Sequence, residues 1–283
     1  MKRALNEEIE IGISGIRKLT ETLKNHYGFD IGVYSSTSLK RRVVKVMDLN
    51  NLKNLDALIQ LLETRESFFP LFQKQLTVEG TEFFRDPALW RYLRDEIAPV
   101  LDRNHMKIKI WIPGCSTGEE VVSTAITLKN AGIYDKSVIL ATDLNKEIIK
   151  QSREVIYSNN KLEISENNYK RFLEDESADL SGYLIKKDKG FQFKDDLYSN
   201  IIYDVFTGTE NLKIKGINVV LCRNYFIYFT TQYQEKLFGI FTANLSTNGY
   251  FAIGNKENIT FCKDADKYAL VNDNEKVYKK ISA

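Results

Sequence analysis

The chain has 283 residues and a net charge of only +2, so it lacks the basic surplus of a nucleic-acid-binding surface and no nucleic-acid partner is expected. Hydrophobic residues make up 43%, enough for a sizeable core that needs no covalent staples. Three widely spaced cysteines, Cys115, Cys222 and Cys262, form no C-x-x-C pair, and the only histidines are His26 and His105; this excludes a zinc ribbon, argues against hydrolase triads and catalytic zinc, predicts no metal site, and suits a reducing cytoplasm.

Taken in chain order, residues Met1 to Glu8 lack the apolar core of a signal peptide. Ile9, Ile13, Ile16, Leu19 and Leu23 then fall on one helical face, with Gly28 as a stop signal. A second helix is predicted over Ser38–Met47, with Leu39, Val43 and Val46 apolar and Lys40, Arg41, Arg42 and Lys45 on its other face. A third runs over Asn54–Arg65, with Asn54 as N-cap, and a fourth over Phe68–Val78. With no strand signal so far, residues 1–78 are expected to form an all-α domain. Asp86-Pro87 reads as an N-cap followed by proline at the first helical position, opening a helix through Leu101 that bridges to the rest. Beyond residue 107, strands (Lys107–Ile112, Ser137–Thr142, Asn218–Cys222, Tyr250–Ile253) alternate with helices (Thr117–Asn130, Lys146–Tyr157, Thr231–Leu245). That order predicts a parallel sheet covered on both faces, in a second domain over residues 79–283. Residues 158–200 interrupt it with an acidic loop (Glu174, Asp175, Glu176, Asp179) and a hairpin of Tyr183–Ile185 with Phe191–Phe193. No run approaches the ~18 apolar residues of a membrane span, so no membrane insertion is expected.

Two features carry chemistry. Pro113-Gly114-Cys115-Ser116-Thr117-Gly118-Glu119-Glu120 follows a strand and opens a helix, where glycines let the backbone turn sharply and approach a ligand; taken alone it reads equally as a structural turn. Asp143 ends the next strand, where an acceptor-only carboxylate can hold ribose hydroxyls or cap the helix near Lys146. Together they suggest a nucleoside on a Rossmann-like sheet. Glu119 and Glu120 beside the loop would repel a pyrophosphate but favour a sulfonium ligand with an ammonium group.

With these residues the chain resembles the chemotaxis receptor methyltransferase family, CheR. The resemblance rests on Thr81-Glu82-Phe83-Phe84-Arg85, Gly114 to Glu120, Ala141-Thr142-Asp143, Cys222-Arg223-Asn224-Tyr225-Phe226-Ile227-Tyr228-Phe229 and Gly254-Asn255-Lys256-Glu257-Asn258, in family order, together with the basic helix at Leu39-Lys40-Arg41-Arg42-Val43. It implies a Rossmann-like class I S-adenosylmethionine-dependent methyltransferase domain with a small β insertion, behind an all-α domain. It implies that Glu79, Thr81, Arg85, Gly114, Glu120, Asp143, Thr207, Gly208, Arg223 and Asn224 hold S-adenosylmethionine and its product S-adenosylhomocysteine. On the same grounds Arg85 and Tyr228 stand at the reacting methyl, and Lys40, Arg41, Arg42 and Lys45 dock a glutamate-rich receptor helix. The hairpin resembles an insertion that in some members tethers a receptor C-terminal peptide by strand addition. The implied reaction esterifies a glutamate, whose pKa of about 4.3 leaves it ionised at neutral pH without a base. Glu79 and Thr207-Gly208 depart from the family, which often has asparagine at the first position and usually asparagine–leucine at the second. An adaptor that has lost catalysis, and a methyltransferase for another protein carboxylate, therefore remain as alternative readings.

Overall fold

Amphipathic stripes at helical spacing build the first of two units in the computed structural model, which describes residues 11–77, 81–152, 154–208, 212 and 214–282. Helix α1 (Ile13–Tyr27) buries Leu19 and Leu23 and stops at Gly28, whose φ of 63° lets its N–H return to the last carbonyls. Helix α2 (Ser36–Leu49) starts two residues before its predicted start because the Ser35 hydroxyl accepts from the Ser38 N–H. Asn54 caps α3 (Leu55–Thr64) through the Ala57 N–H at 2.9 Å, and α4 (Phe69–Thr77) buries Phe72 and Leu76. This unit also takes in Tyr228–Tyr233 from far along the chain. Ser35 N–H donates to the Tyr228 carbonyl at 2.8 Å and Thr230 N–H to Val33 at 2.9 Å.

The expected basic face of α2 needs one correction. Arg42 is 3% exposed. Its position places it with Leu39, Val43 and Val46 on the inward stripe, where its guanidinium donates to the Leu76 carbonyl and lies 4.1 Å from the centre of the Tyr228 ring. Arg42 is thus removed from any docking surface; Arg41 and Lys45 are exposed and Lys40 is half-buried.

The second unit begins with α5 (Pro87–Tyr92), which passes through a π turn at Leu93–Ile97 into α6 (Ala98–Asn104). Pro99 has no N–H for the Asp95 carbonyl, and widening the turn before it relieves the clash. The run lies within this unit, where the sequence suggested a bridge. Then follow β1 (Ile108–Pro113), α7 (Glu119–Asn130), β2 (Ser137–Asp143), α8 (Lys146–Gln151), α9 (Asn159–Leu173), β3 (Leu184–Lys187), β4 (Gly190–Phe193), β5 (Ile201–Val205), β6 (Ile217–Cys222), α10 (Thr231–Asn244), β7 (Leu245–Ile253), β8 (Tyr268–Asn272) and β9 (Val277–Lys280). The seven-stranded sheet has the order β5-β2-β1-β6-β7-β9-β8. Its first five strands are parallel, and β1, β2 and β6 are buried along almost their whole length, as strands covered on both faces must be. Strand order reverses at β1, opening a crevice outside the strand ends between β1 and β6.

Three expectations are corrected. The sheet is mixed, because β9 runs antiparallel to β7 and β8 to β9. The helix expected to reach Tyr157 stops at Gln151, and Tyr157 instead pairs with Phe191 of β4. Part of the expected irregular insertion is helix α9, whose buried positions Ser165, Asn168, Tyr169 and Phe172 are half polar and so show no apolar period. The hairpin itself forms as β3–β4, with Leu184 opposite Phe193 and Lys187 opposite Gly190. Among the described residues no helix is long and apolar enough to cross a membrane.

Candidate active site

The carboxyl ends of β1, β2, β5 and β6 bring together most of the residues singled out in the sequence. After β1 the chain turns at Gly114, where φ is 67° and a Cβ would lie 2.4 Å from the Tyr225 ring, so no side chain fits. The turn continues through Ser116 (φ 47°) and Gly118 (φ 92°) before α7 begins. Cys115 N–H holds it to the Thr142 carbonyl at 2.9 Å.

Asp143 pins the same turn from the end of β2. One carboxylate oxygen accepts from Ser116 N–H at 3.0 Å and the other from Asn145 N–H at 2.9 Å. Asn145, not Asp143, caps α8. Burial pushes the Asp143 carboxyl up from the ordinary carboxylate range, and backbone N–H groups of Asn145, Ser116 and Leu144 pull it back. Each oxygen keeps a lone pair for a further donor. Phe206 N–H donates to the Asp143 carbonyl at 3.0 Å, which sets Thr207 and Gly208 beside the end of β2; Gly208 has φ 86° and Thr207 is exposed.

The two glutamates opening α7 part company. Glu119 is fully buried and its carboxylate meets Lys161 of α9 and the Thr117 hydroxyl. Glu120 faces the other way. Its Oε1 is buried with no hydrogen-bond partner among the described residues, and Arg223 Nη1 lies 3.9 Å from it. Burial raises the Glu120 carboxyl to about 7; Arg223 and Arg85 lower it, and Glu257 and Asp86 add to the rise. Arg223, at the end of β6, is 4% exposed along its side chain, pairs with Asp86 and lies over the Trp90 ring at 5.8 Å. Asp86, expected as an N-cap, makes no capping bond and is used for this pair.

In the sequence Glu257 stands only as part of the Gly254–Asn258 turn, with no role of its own. Its carboxylate accepts from Gly254 N–H at 2.6 Å, Asn224 N–H at 2.9 Å and Ile227 N–H at 3.1 Å. It thereby holds Asn224 in a left-handed conformation, φ 51°, and a Cβ at Gly254 would come within 3.0 Å of Asn224 and Glu257. The signal was available: a lone acid in a glycine turn that follows one sheet strand, near a polar turn following its neighbour. Arg85 is half-buried and lines a cleft of about 380 Å³ with Glu82, Asp86, Arg91, Asn255 and Glu275. Thr81 is half-buried and its carbonyl accepts from Lys161 at 3.3 Å. Tyr228 belongs to the helical unit, under Arg42. Glu79 lies outside the described residues.

A mixed sheet whose parallel part carries a glycine turn after its first strand, an acid ending the second and a buried glutamate with an open acceptor defines a nucleoside-binding α/β domain. Residues 79–277 match the CheR methyltransferase SAM-binding domain and residues 14–77 the CheR methyltransferase all-alpha domain. A Pseudomonas putida protein named Cher3 is 30% identical over 275 residues, 97% of this chain and 98% of that one. A chemotaxis protein methyltransferase of Listeria innocua is 26% identical over 85% of this chain and 88% of its own, and one of Borreliella burgdorferi 26% identical over 90% and 91%. The chain belongs to the CheR methyltransferase family, and S-adenosylmethionine is its cofactor.

The residues present fit that cofactor. The Glu120 Oε1, which makes no hydrogen bond among the described residues, offers an acceptor to an ammonium group, and Asp143 keeps acceptor capacity for ribose hydroxyls. An ammonium favours ionised Glu120, so below pH 7 binding must first release a proton. S-adenosylhomocysteine affinity should fall as pH drops from about 7.5 to about 6, approaching tenfold per unit, with release of most of one proton near pH 6.5. Calorimetry in buffers of different ionisation enthalpy measures this, and Glu120→Gln should flatten it. In the cofactor-free protein the raised value acts on stability in the opposite sense: its contribution is full below the ordinary 4.5 and lost as pH rises through about 7.

Proposed function

We propose that the protein methylates glutamate side-chain carboxylates of a chemotaxis-type receptor, giving glutamate methyl esters. The observation that supports this most is the buried Glu120 oxygen beside Arg223, which has no hydrogen-bond partner among the described residues and can accept from an ammonium group at the mouth of the glycine turn. The substrate class follows the names of the Listeria and Borreliella relatives. Held by Glu120, Asp143 and the Gly114 turn, S-adenosylmethionine would supply an electrophilic methyl to the substrate carboxylate oxygen, with the C–S electron pair leaving on the neutral thioether of S-adenosylhomocysteine.

Neither proton donor nor acceptor is required of the protein, because a glutamate is already ionised at neutral pH. Its residues align and desolvate, and alignment alone is worth on the order of 7–11 kcal/mol of barrier. In this reading Glu120 takes the ammonium, Asp143 the ribose, Thr207 and Gly208 border the base, and Gly114 lets the backbone come close. Arg223 and Asn224 close the pocket after β6, Thr81 and Arg85 face the methionine end, and Glu79 precedes them. Arg85 and Tyr228 orient the accepting carboxylate. Lys40, Arg41 and Lys45 of α2 present positive charge to a glutamate-rich signalling helix. The outer edge of β3, with Ile185, Lys186 and Lys187 exposed, offers backbone groups to a receptor C-terminal peptide. The setting is the cytoplasm.

Incubation with methyl-labelled cofactor and a receptor signalling fragment tests the proposal. Base-labile label released as methanol is the expected result. Label on a different acidic protein and none on the receptor would redirect the substrate; cofactor bound but never turned over on either would favour the adaptor.

A further inference from the structure

Lys161, on the first turn of α9, joins two segments that are far apart in sequence. Its ammonium meets the buried Glu119 carboxylate at the start of α7 and lies 3.3 Å from the Thr81 carbonyl. Nearby, the Tyr157 hydroxyl donates to the Thr117 carbonyl at 2.6 Å, while the Tyr157 main chain exchanges two hydrogen bonds with Phe191 of β4, at 2.8 and 2.9 Å. The packing leaves no slack. A Cβ on Gly190 would lie 1.9 Å from the Tyr157 carbonyl oxygen, and one on Gly118 would lie 3.2 Å from the Tyr157 hydroxyl. The Phe83 ring sits 4.9 Å from both Tyr157 and Phe193. Both stretches assigned to the cofactor, 81–85 and 114–120, are therefore fastened to the insertion.

We propose that Lys161 and Tyr157 are positioning residues of the cofactor site. Lys161 holds Glu119 turned away from the ligand, and Tyr157 holds the Thr117 carbonyl. Between them they fix the turn that aims Glu120, its next neighbour, at the ligand. A Glu119 released from Lys161 would be a second carboxylate at the head of α7 with no counter-charge. A charge-assisted bond to a buried carboxylate keeps its geometry only while both partners are present, so the insertion sets cofactor affinity without touching the cofactor. This rests on the reading that the Gly114–Glu120 turn and the Thr81–Arg85 segment hold S-adenosylmethionine.

Calorimetric titration of S-adenosylhomocysteine into the full chain tests it. Lys161→Met strands a buried carboxylate and can unfold the protein, so Glu119→Gln combined with Lys161→Met, Tyr157→Phe and Lys161→Arg are measured alongside. The double variant should bind about 10- to 100-fold more weakly than the wild type, the equivalent of losing one charge-assisted hydrogen bond, and Tyr157→Phe about 3- to 10-fold more weakly, the equivalent of losing a neutral one. Lys161→Arg should recover most of the affinity, because it restores the charge and the reach. Binding by the double variant and Tyr157→Phe as tight as wild type, whatever their melting temperatures, would overturn the inference and leave the two residues as braces of the fold. A wild-type chain that fails to bind S-adenosylhomocysteine at all would defeat the underlying cofactor assignment, and the inference with it.

Discussion

Arg223→Leu should weaken cofactor binding near neutral pH at least about 100-fold and lower the melting temperature by about 6–12 °C. Arg223 is the shared counter-charge of Asp86 and Glu120. Removing one partner of a buried ion pair costs roughly 3–5 kcal/mol; Asp86 is about one-third exposed, which places the loss at the lower end. For a unit of this size each kcal/mol is worth about 2–4 °C. The effect on binding has a separate cause. Arg223 is the strongest influence holding Glu120 down towards 7; without it the carboxyl is pushed further up, so pairing with an ammonium must first release a proton even near neutral pH. An S-adenosylhomocysteine affinity at least about 100-fold weaker is expected. Arg223→Lys should recover part of the stability but less of the binding, since an ammonium cannot serve two carboxylates through a planar fork. Differential scanning fluorimetry and calorimetry read the two quantities independently. Normal binding by the leucine variant would remove Glu120 from the site.

Glu257→Ala should be the most destabilising single change at the sheet's carboxyl edge. Three backbone N–H groups, those of Gly254, Asn224 and Ile227, lose their acceptor. A buried donor left unsatisfied costs about 1–3 kcal/mol, so for three donors roughly 3–9 kcal/mol is at stake. Urea unfolding should show it as a lower midpoint with unchanged slope, and amide exchange at residues 224, 227 and 254 should accelerate. Glu257→Gln keeps one acceptor oxygen but turns an NH₂ towards donors, and should fall between the two. Protected amides in the alanine variant would mean that water or relaxed backbone replaces the carboxylate.

Much of this was legible because it was local. Asn54 and Gly28 mark helix ends through side-chain and backbone rules that hold within one turn, and both mark ends here. The alternation of strands and helices beyond residue 107 announced a sheet covered on both faces, and β1, β2 and β6 are buried accordingly. What stayed hidden depends on partners distant in sequence. Arg42 reads as one of four cations on a helix face until the stripe around it is seen to be buried. Asp86 looks like a cap until Arg223 arrives from 137 residues away. Lys161 sits in a helix whose inward face includes Ser165 and Asn168, so neither the helix nor its ion pair with Glu119 shows as a pattern. The edge strands β8 and β9 are short and carry exposed or polar residues, including Lys280, whose ammonium is buried against the Thr242 and Leu245 carbonyls.

The helical unit borrows six residues, Tyr228–Tyr233, that are made long after its own helices. At about 5–20 residues per second on the ribosome, α1 to α4 wait roughly 8–30 s for Tyr228 to arrive beneath Arg42. Through that interval the buried Arg42 has the Tyr34 ring beside it but not the nearer Tyr228 ring, and a gene fragment ending after α4 would encode a bundle frozen at that stage of its synthesis.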